Sequence, residues 1–386
     1  VNTISGVFPL FEITEDGKVQ QLATLLPLKP KGFRLIPKLA SIPGAVYPDL
    51  PFFLTDLIPS GFLGRLAPKT HPELGLPSNI QLWGVDENLA FLSTVGWNLV
   101  GNLILGQSAL NLYVDKKNAP MPPVQQPELT WHFPILAEQI QQEGDNGTSA
   151  PGDHPKFLID YRQKRTSSLV KFSPPIQDEV SQRRADLLIA EQIASEVVSA
   201  GGIPTAHSKI IRVKNQIFLE IERFDRNEHQ GRRGLISLQA LGIDIGCSKK
   251  YWSELSAELL KMDKIDSATD LKIQELESFN LLIGNTKMDL TDLSFYFEQL
   301  RLGKLAPAYG MSPTCYEPFE KQIIPITLNL EPPTLLQETA WNAGYKKALE
   351  FWKRTSLHPE ISGSFQKIAH DNHTHLETRK KPASKP

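Results

Sequence analysis

Residues 179–200 constrain this chain more than any other stretch. Leu187, Ala190, Ala194 and Val197 recur at helical spacing, with Ile193 and Val198 flanking them. Gly201-Gly202 then ends the helix, and Pro204 prevents its resumption. A helix this long needs an apolar surface to cover. Short apolar segments on either side supply one. Leu169-Val170-Lys171-Phe172 precedes it and is stopped by Ser173-Pro174-Pro175; residues 208–213 and 216–223 follow it around Lys214-Asn215. The stretch therefore reads as a strand, a long helix and a strand pair in this order.

The flanking regions divide by pattern. Residues 1–118 alternate short apolar runs with Gly and Pro breaks, as in Val7-Phe8-Pro9-Leu10-Phe11-Glu12-Ile13 before the turn at Glu15-Asp16-Gly17-Lys18. They predict a small, mainly β subdomain with short helices. Pro120, Pro122, Pro123 and Pro127 stiffen 119–127 into a linker. A second region over 128–226 begins with a helix near 134–143. Helical patterns at 251–262, 269–283 and 334–356 make 227–370 mostly α. Residues 371–386, rich in Lys and Pro at the end, read as a disordered tail, and that reading is preferred over a metal site for His370, His373 and His375.

Composition excludes several function classes. Across 386 residues the formal net charge is -2, so no overall basicity argues for nucleic acid or an anionic membrane surface. The apolar stretch 91–105 is broken by Ser93, Gly96, Asn98 and Asn102 and is too short to span a bilayer. Cys247 and Cys315 are too few for a disulfide framework or a zinc site, which fits a reducing, cytoplasmic setting. The N-terminus lacks a basic stretch followed by an apolar one, so no signal peptide is read there. The chain opens on Val1 rather than Met, as a fragment or processed form would.

Three constellations could carry chemistry. The first is Gly147-Thr148-Ser149-Ala150-Pro151-Gly152-Asp153-His154-Pro155-Lys156, whose small residues would let backbone N–H groups approach phosphate oxygens. Alone it is no more than a surface turn; Lys171 on the following short strand is the neighbour that gives it meaning, since nucleotide kinases keep an ammonium there. Glu191 on the long helix is the candidate to orient that ammonium, with Asp186 as rival. The second is Glu222-Arg223-Phe224-Asp225-Arg226, where an apolar strand runs into charge. It is either a hinge that meets an adenine edge and ribose or a salt-bridged strand end. The third is Gly284-Asn285-Thr286-Lys287-Met288-Asp289-Leu290-Thr291-Asp292, followed by the strand-like residues 293–297 and then Ala308-Tyr309-Gly310. Phosphotransfer needs a carboxylate beside the substrate hydroxyl and oxygen ligands for Mg²⁺.

In this order the constellations resemble the HipA-like serine/threonine kinases of bacterial toxin–antitoxin systems, nearest the YjjJ-type branch. Phe8-Pro9-Leu10 and Leu54-Thr55-Asp56-Leu57-Ile58-Pro59-Ser60-Gly61-Phe62-Leu63-Gly64-Arg65 also match that branch. The resemblance implies a two-lobed, protein-kinase-like α+β fold with an α-helical C-lobe. It implies Lys171 as the ATP-pairing Lys, and Gly147, Thr148, Ser149 and Gly152 as the phosphate loop. It further implies Glu222 and Phe224 at the hinge, Asp225 at the ribose, and Asn285 opening the catalytic loop.

The departures from that pattern matter most. Lys287 stands at the catalytic Asp position, Asp292 at the metal-binding Asn, and Gly310 at the metal-binding Asp. A charged ammonium is no base, and Gly has no ligand atom. Asp292 still offers a hard-cation oxygen, and Asp289 is a substitute base only if the loop rearranges. Three readings follow. The first is a pseudokinase with an ATP pocket and doubtful Mg²⁺, acting through an antitoxin-like protein partner. The second is an active kinase toxin with rewired metal binding. The third is a DNA-associated regulator lacking an upstream winged helix; none of the three involves a membrane.

Overall fold

The computed structural model describes residues 6–119, 130–142, 152–161, 166–227, 231–328 and 336–378. Along the chain run β1 (Phe8–Ile13), β2 (Val19–Pro27), β3 (Phe33–Pro37), β4 (Ala45–Tyr47), α1 (Phe52–Thr55), α2 (Gly61–Thr70), α3 (Val85–Val95), β5 (Leu103–Leu105), α4 (Gln107–Asn118) and α5 (Phe133–Gln142). Next come β6 (Lys156–Tyr161), β7 (Thr166–Phe172), α6 (Glu179–Ala200), β8 (Ser208–Val213), β9 (Gln216–Glu222), β10 (Leu235–Ser237) and α7 (Leu238–Asp244). The remainder is α8 (Trp252–Lys261), α9 (Ser267–Ile283), β11 (Ser294–Glu298), β12 (Arg301–Leu305), α10 (Glu338–Leu357) and α11 (Gly363–Thr378).

The chain segregates into two compact units that interleave in sequence. One comprises residues 1–171, 221–246 and 294–306; the other comprises 172–220, 247–293 and 307–386. The linear division at 226 expected from composition does not follow this boundary. The reason is pairing: β11 lies between β10 and β12, so a late hairpin returns to the first unit.

In the first unit a five-stranded sheet has the order β4-β3-β2-β1-β5. β1 is almost wholly buried because strands cover both its edges, with Leu10 opposite Ala23 on β2 and Leu105 on β5. Phe11 and Ile13 pack with Ile104, Ala109, Leu110 and Tyr113, so α4 covers this sheet. The β6–β7 hairpin sets Lys156 opposite Lys171 and Phe157 opposite Val170, and Phe133 of α5 meets Phe157 edge-on.

The second unit is mainly helical. α6 matches the predicted 179–200 span, and Asp178 caps it by accepting the Ser181 N–H at 2.8 Å. Its apolar stripe is wider than expected. Arg183, Asp186 and Glu191 are buried with the aliphatic residues, because neighbouring segments cover most of its circumference. α9 and α10 cross closely at Gly344, where a Cβ would stand 2.6 Å from that of Ser278. Phe279, Phe351, Trp352, Tyr316 and Phe365 form an edge-to-face aromatic core beside them. β8 and β9 pair around Lys214, which adopts φ 51°.

One expectation is overturned outright. Residues 371–378 belong to α11 and are not a disordered tail. Phe365, Ala369 and Leu376 are buried, and the polar histidines between them disguise that apolar face in the sequence. Among the described residues no group of three His, Cys, Asp or Glu side chains converges as a metal site.

Candidate functional site

In the second unit a buried Asn assembles the candidate catalytic loop. α9 ends at Gly284, which adopts φ 79°, a conformation that L side chains rarely tolerate. A Cβ there would stand 2.5 Å from Cys315 Sγ. The chain therefore turns sharply, and Asn285 follows with 8 % of its surface exposed. The Asn285 amide donates to Asn280 Oδ1 at 2.8 Å and to the Gly310 carbonyl at 3.4 Å. Its Oδ1 accepts from Thr314 Oγ1 at 3.1 Å and from the Lys287 N–H at 3.3 Å. Positions 287 and 310, separated by a whole hairpin in sequence, are thus joined through one side chain.

The replaced positions have new occupations. Lys287 Nζ donates to Glu317 Oε2 at 2.5 Å, half-exposed, so the ammonium is already neutralised by a carboxylate. Asp289 caps the short turn Leu290–Asp292: its Oδ1 accepts the Thr291 N–H at 2.9 Å. Asp292 Oδ2 accepts the Asp289 N–H at 2.9 Å in return. The Trp252 indole N–H donates to the Asp289 carbonyl at 2.8 Å and pins the turn. Both of these carboxylates are thereby engaged in local structure. Gly310 has φ 70°, and a Cβ built on it would meet nothing within 4 Å. There is space at Gly310 for a side chain, and Gly offers no ligand atom. These donors do not fit a Mg²⁺ ion, which needs several oxygens at one point.

The candidate nucleotide residues lie in the first unit. Lys171 sits on β7, directly across from Lys156, so both side chains project from one face of the hairpin. Lys156 is almost fully buried, and its Nζ would stand 3.1 Å from a Cβ on Gly152, which has φ 93°. That glycine leaves room that a side chain would fill, which fits a phosphate-bearing ligand. Gly147, Thr148 and Ser149 lie outside the described residues. Glu222 is exposed at the end of β9, and Phe224 is partly buried just beyond it.

Asp225 departs from the ribose role. Its Oδ1 accepts from Arg223 Nε at 2.9 Å; its Oδ2 accepts from Arg223 Nη2 at 2.7 Å, Arg226 Nη1 at 2.8 Å and the Gly101 N–H at 2.9 Å. Burial alone would raise its pKa, but Arg223, Arg226 and the Gly101 N–H outweigh that and hold it well below the usual carboxylate range. A carboxylate this saturated anchors structure. Asp225 ties the segment after β9 to the loop 98–101, whose carbonyls at Leu99 and Gly101 also accept from Arg226. Arg232, stacked on Tyr113, completes the cluster, and burial lowers its pKa to about 10. The arginines at 223, 226 and 232 were the missed signal: so many cations around one acid imply burial.

Of the two acids proposed to orient Lys171, Asp186 is committed elsewhere. It accepts from the Ser362 N–H at 2.9 Å and Ser362 Oγ at 2.5 Å, fixing the start of α11. Glu191 is buried on α6.

A Lys-bearing strand, a long buried helix and an Asn-anchored loop on an α+β scaffold are the parts of a protein-kinase-like fold. Comparison with known proteins agrees. The family model for the YjjJ-like toxin middle domain matches residues 4–114, and that for the HipA-like C-terminal domain matches residues 148–374. Toxin YjjJ of Escherichia coli (strain K12) is 30% identical over 369 residues, covering 94% of this chain and 82% of that protein. The HipA of Shewanella oneidensis MR-1, solved with HipB and operator DNA, aligns with TM-score 0.56 and 16% identity over 96% of each chain. The Helicobacter pylori proinflammatory kinase CtkA aligns with TM-score 0.41 and 11% identity, over 58% of this chain and 90% of that one. The chain belongs to the HipA-like family.

Proposed function

We propose that this protein is a HipA-like toxin-type pseudokinase. It binds a nucleotide in its first unit, transfers phosphate poorly, and acts by binding an antitoxin-like protein. The observation that carries this reading is the Lys287–Glu317 ion pair beside a side-chain-less Gly310, both tied to Asn285. Stabilising a transferred phosphoryl group is almost wholly electrostatic. Here the base position holds a neutralised cation and one metal position holds nothing.

ATP would supply a polyphosphate and an adenine. Lys171 would meet the phosphates, with Gly152 giving the close approach, and backbone groups at Glu222 and Phe224 would meet the adenine edge. The partner class follows from the relatives: a HipA of this fold is solved with HipB and DNA. A partner protein is therefore the first place to look for activity, and DNA the second, through that partner.

Two measurements test the reading. Calorimetry with ATP, with and without Mg²⁺, should show binding that is lost in Lys171→Ala and that depends little on the metal. A phosphotransfer assay with Mg²⁺ and ATP should show turnover far below that of an intact HipA-like kinase. Robust Ser/Thr phosphorylation that vanishes in Asp289→Ala would establish the active-kinase alternative instead.

A further inference from the structure

Residues 54–65 match the family pattern closely, yet nothing in the site above uses them. Their contacts show what they do. Asp56 is partly buried and accepts the Ser237 N–H and the Ser237 hydroxyl, each at 2.6 Å, which fixes the front of the segment. At Gly64 a Cβ would lie 2.6 Å from the Pro59 carbonyl carbon, so the turn into α2 closes tightly on itself.

The back of the segment rests on the end of the Gly/Ser stretch. The Phe62 N–H donates to the Gly152 carbonyl at 2.9 Å. Gly61 has φ 63°, and a Cβ on it would stand 2.4 Å from Gly152 O, 2.6 Å from its N and 2.8 Å from its carbonyl carbon. Backbone meets backbone here, and only glycine permits that approach. One turn on, Arg65 Nη1 meets Asp153 Oδ1 at 2.6 Å. On its other side Gly152 abuts the Lys156 ammonium, which is opposite Lys171 across the β6–β7 hairpin. The chain of contact therefore runs from α2 through Gly152 to the two lysines, all within one compact unit.

We infer that the first turn of α2 seats Gly152 and Asp153, with Gly61 and Arg65 acting as positioning residues for a nucleotide polyphosphate held by Lys171, opposite the buried Lys156. This rests on the nucleotide reading above. Neither residue touches the ligand; each sets where Gly152 and Asp153 leave the chain, and hence how the Lys156 ammonium is presented. A displacement of well under an ångström is enough to weaken such a contact, because hydrogen-bond geometry is steep.

The test is ATP calorimetry on the full chain, alongside thermal melting. Arg65→Glu removes an exposed ion pair, which costs little stability, yet it should raise the ATP Kd about tenfold because the exit of the chain at Gly152 and Asp153 shifts. The swap Arg65→Asp with Asp153→Arg should recover most of that loss. Gly61→Ala should weaken binding at least as much. If Gly61→Ala does not fold, Arg65→Glu and the swap decide alone. Wild-type affinity in Arg65→Glu, or a swap that recovers nothing, overturns the inference while leaving the pocket intact. Absence of ATP binding in the wild type, unchanged by Lys171→Ala, overturns the nucleotide reading and this inference together.

Discussion

The two units of this protein treat the same family pattern in opposite ways. In the first, the residues proposed to hold phosphate keep the types that the pattern asks for: Lys171 faces Lys156 across a hairpin, and the Gly152 backbone packs against Gly61. In the second, the loop proposed to correspond to the catalytic loop is held through a buried side chain. Asn285 still joins the positions at 287 and 310, but one carries an ammonium clamped by Glu317 and the other carries no side chain. A loop held by a buried amide keeps its geometry whatever side chains stand at 287 and 310, because Asn285 bonds to backbone there.

The comparison can be broken at its structural end first. Asp225→Ala would leave Arg223, Arg226 and Arg232 buried without their anion, a loss of about 3–5 kcal/mol by analogy with other broken buried pairs. Chemical denaturation measures it. A loss under about 1 kcal/mol would mean that the backbone carbonyls alone satisfy the arginines.

Restoring the family residues probes the other unit. Lys287→Asp with Gly310→Asp should raise phosphotransfer by roughly a hundredfold, if charge is what is missing. Gly310 has the room, though its φ of 70° costs an Asp about 1 kcal/mol. The carboxylate introduced at position 287 would face Glu317, so adding Glu317→Gln should raise activity further by removing like-charge repulsion. No gain in either variant would place the defect elsewhere.

A third test uses pH in the first unit. Glu298 lies beside buried Glu12, and Asn102 donates to both at 3.0 and 2.9 Å. Burial first, and Glu12 second, outweigh the Gly234 N–H and push the Glu298 pKa from 4.5 to about 7. The folded state therefore keeps a proton that the unfolded chain releases. The stabilisation is full below pH 4.5 and is lost as pH rises through about 7. Partial exposure limits it to about 1 kcal/mol. Melting temperatures should fall between about pH 5 and about pH 8 in the wild type, and Glu298→Gln should flatten that slope.

The smallest effect is expected at Lys287 itself. Lys287→Ala removes a half-exposed ion pair and should change stability by less than about 1 kcal/mol. A larger loss would make that pair part of the loop's framework.

Local pattern was enough for much of this molecule. The 179–200 helix, the strand pair around Lys214-Asn215 and the three later helices were readable from periodicity and breakers, and the α+β class from the family resemblance. Roles that depend on who stands nearby were not readable. Asp225 and Glu298 are both carboxylates at strand ends, yet arginines drive one pKa down, while burial and a second acid drive the other up. Asp186 looked able to serve a lysine and instead anchors Ser362. Gly61, in the sequence only one residue of the segment matching the family, proves to be a backbone contact with Gly152. Spacing along a chain encodes which face a residue occupies. Desolvation, pairing and close approach are set by segments far away in sequence, and only their tertiary arrangement decides them.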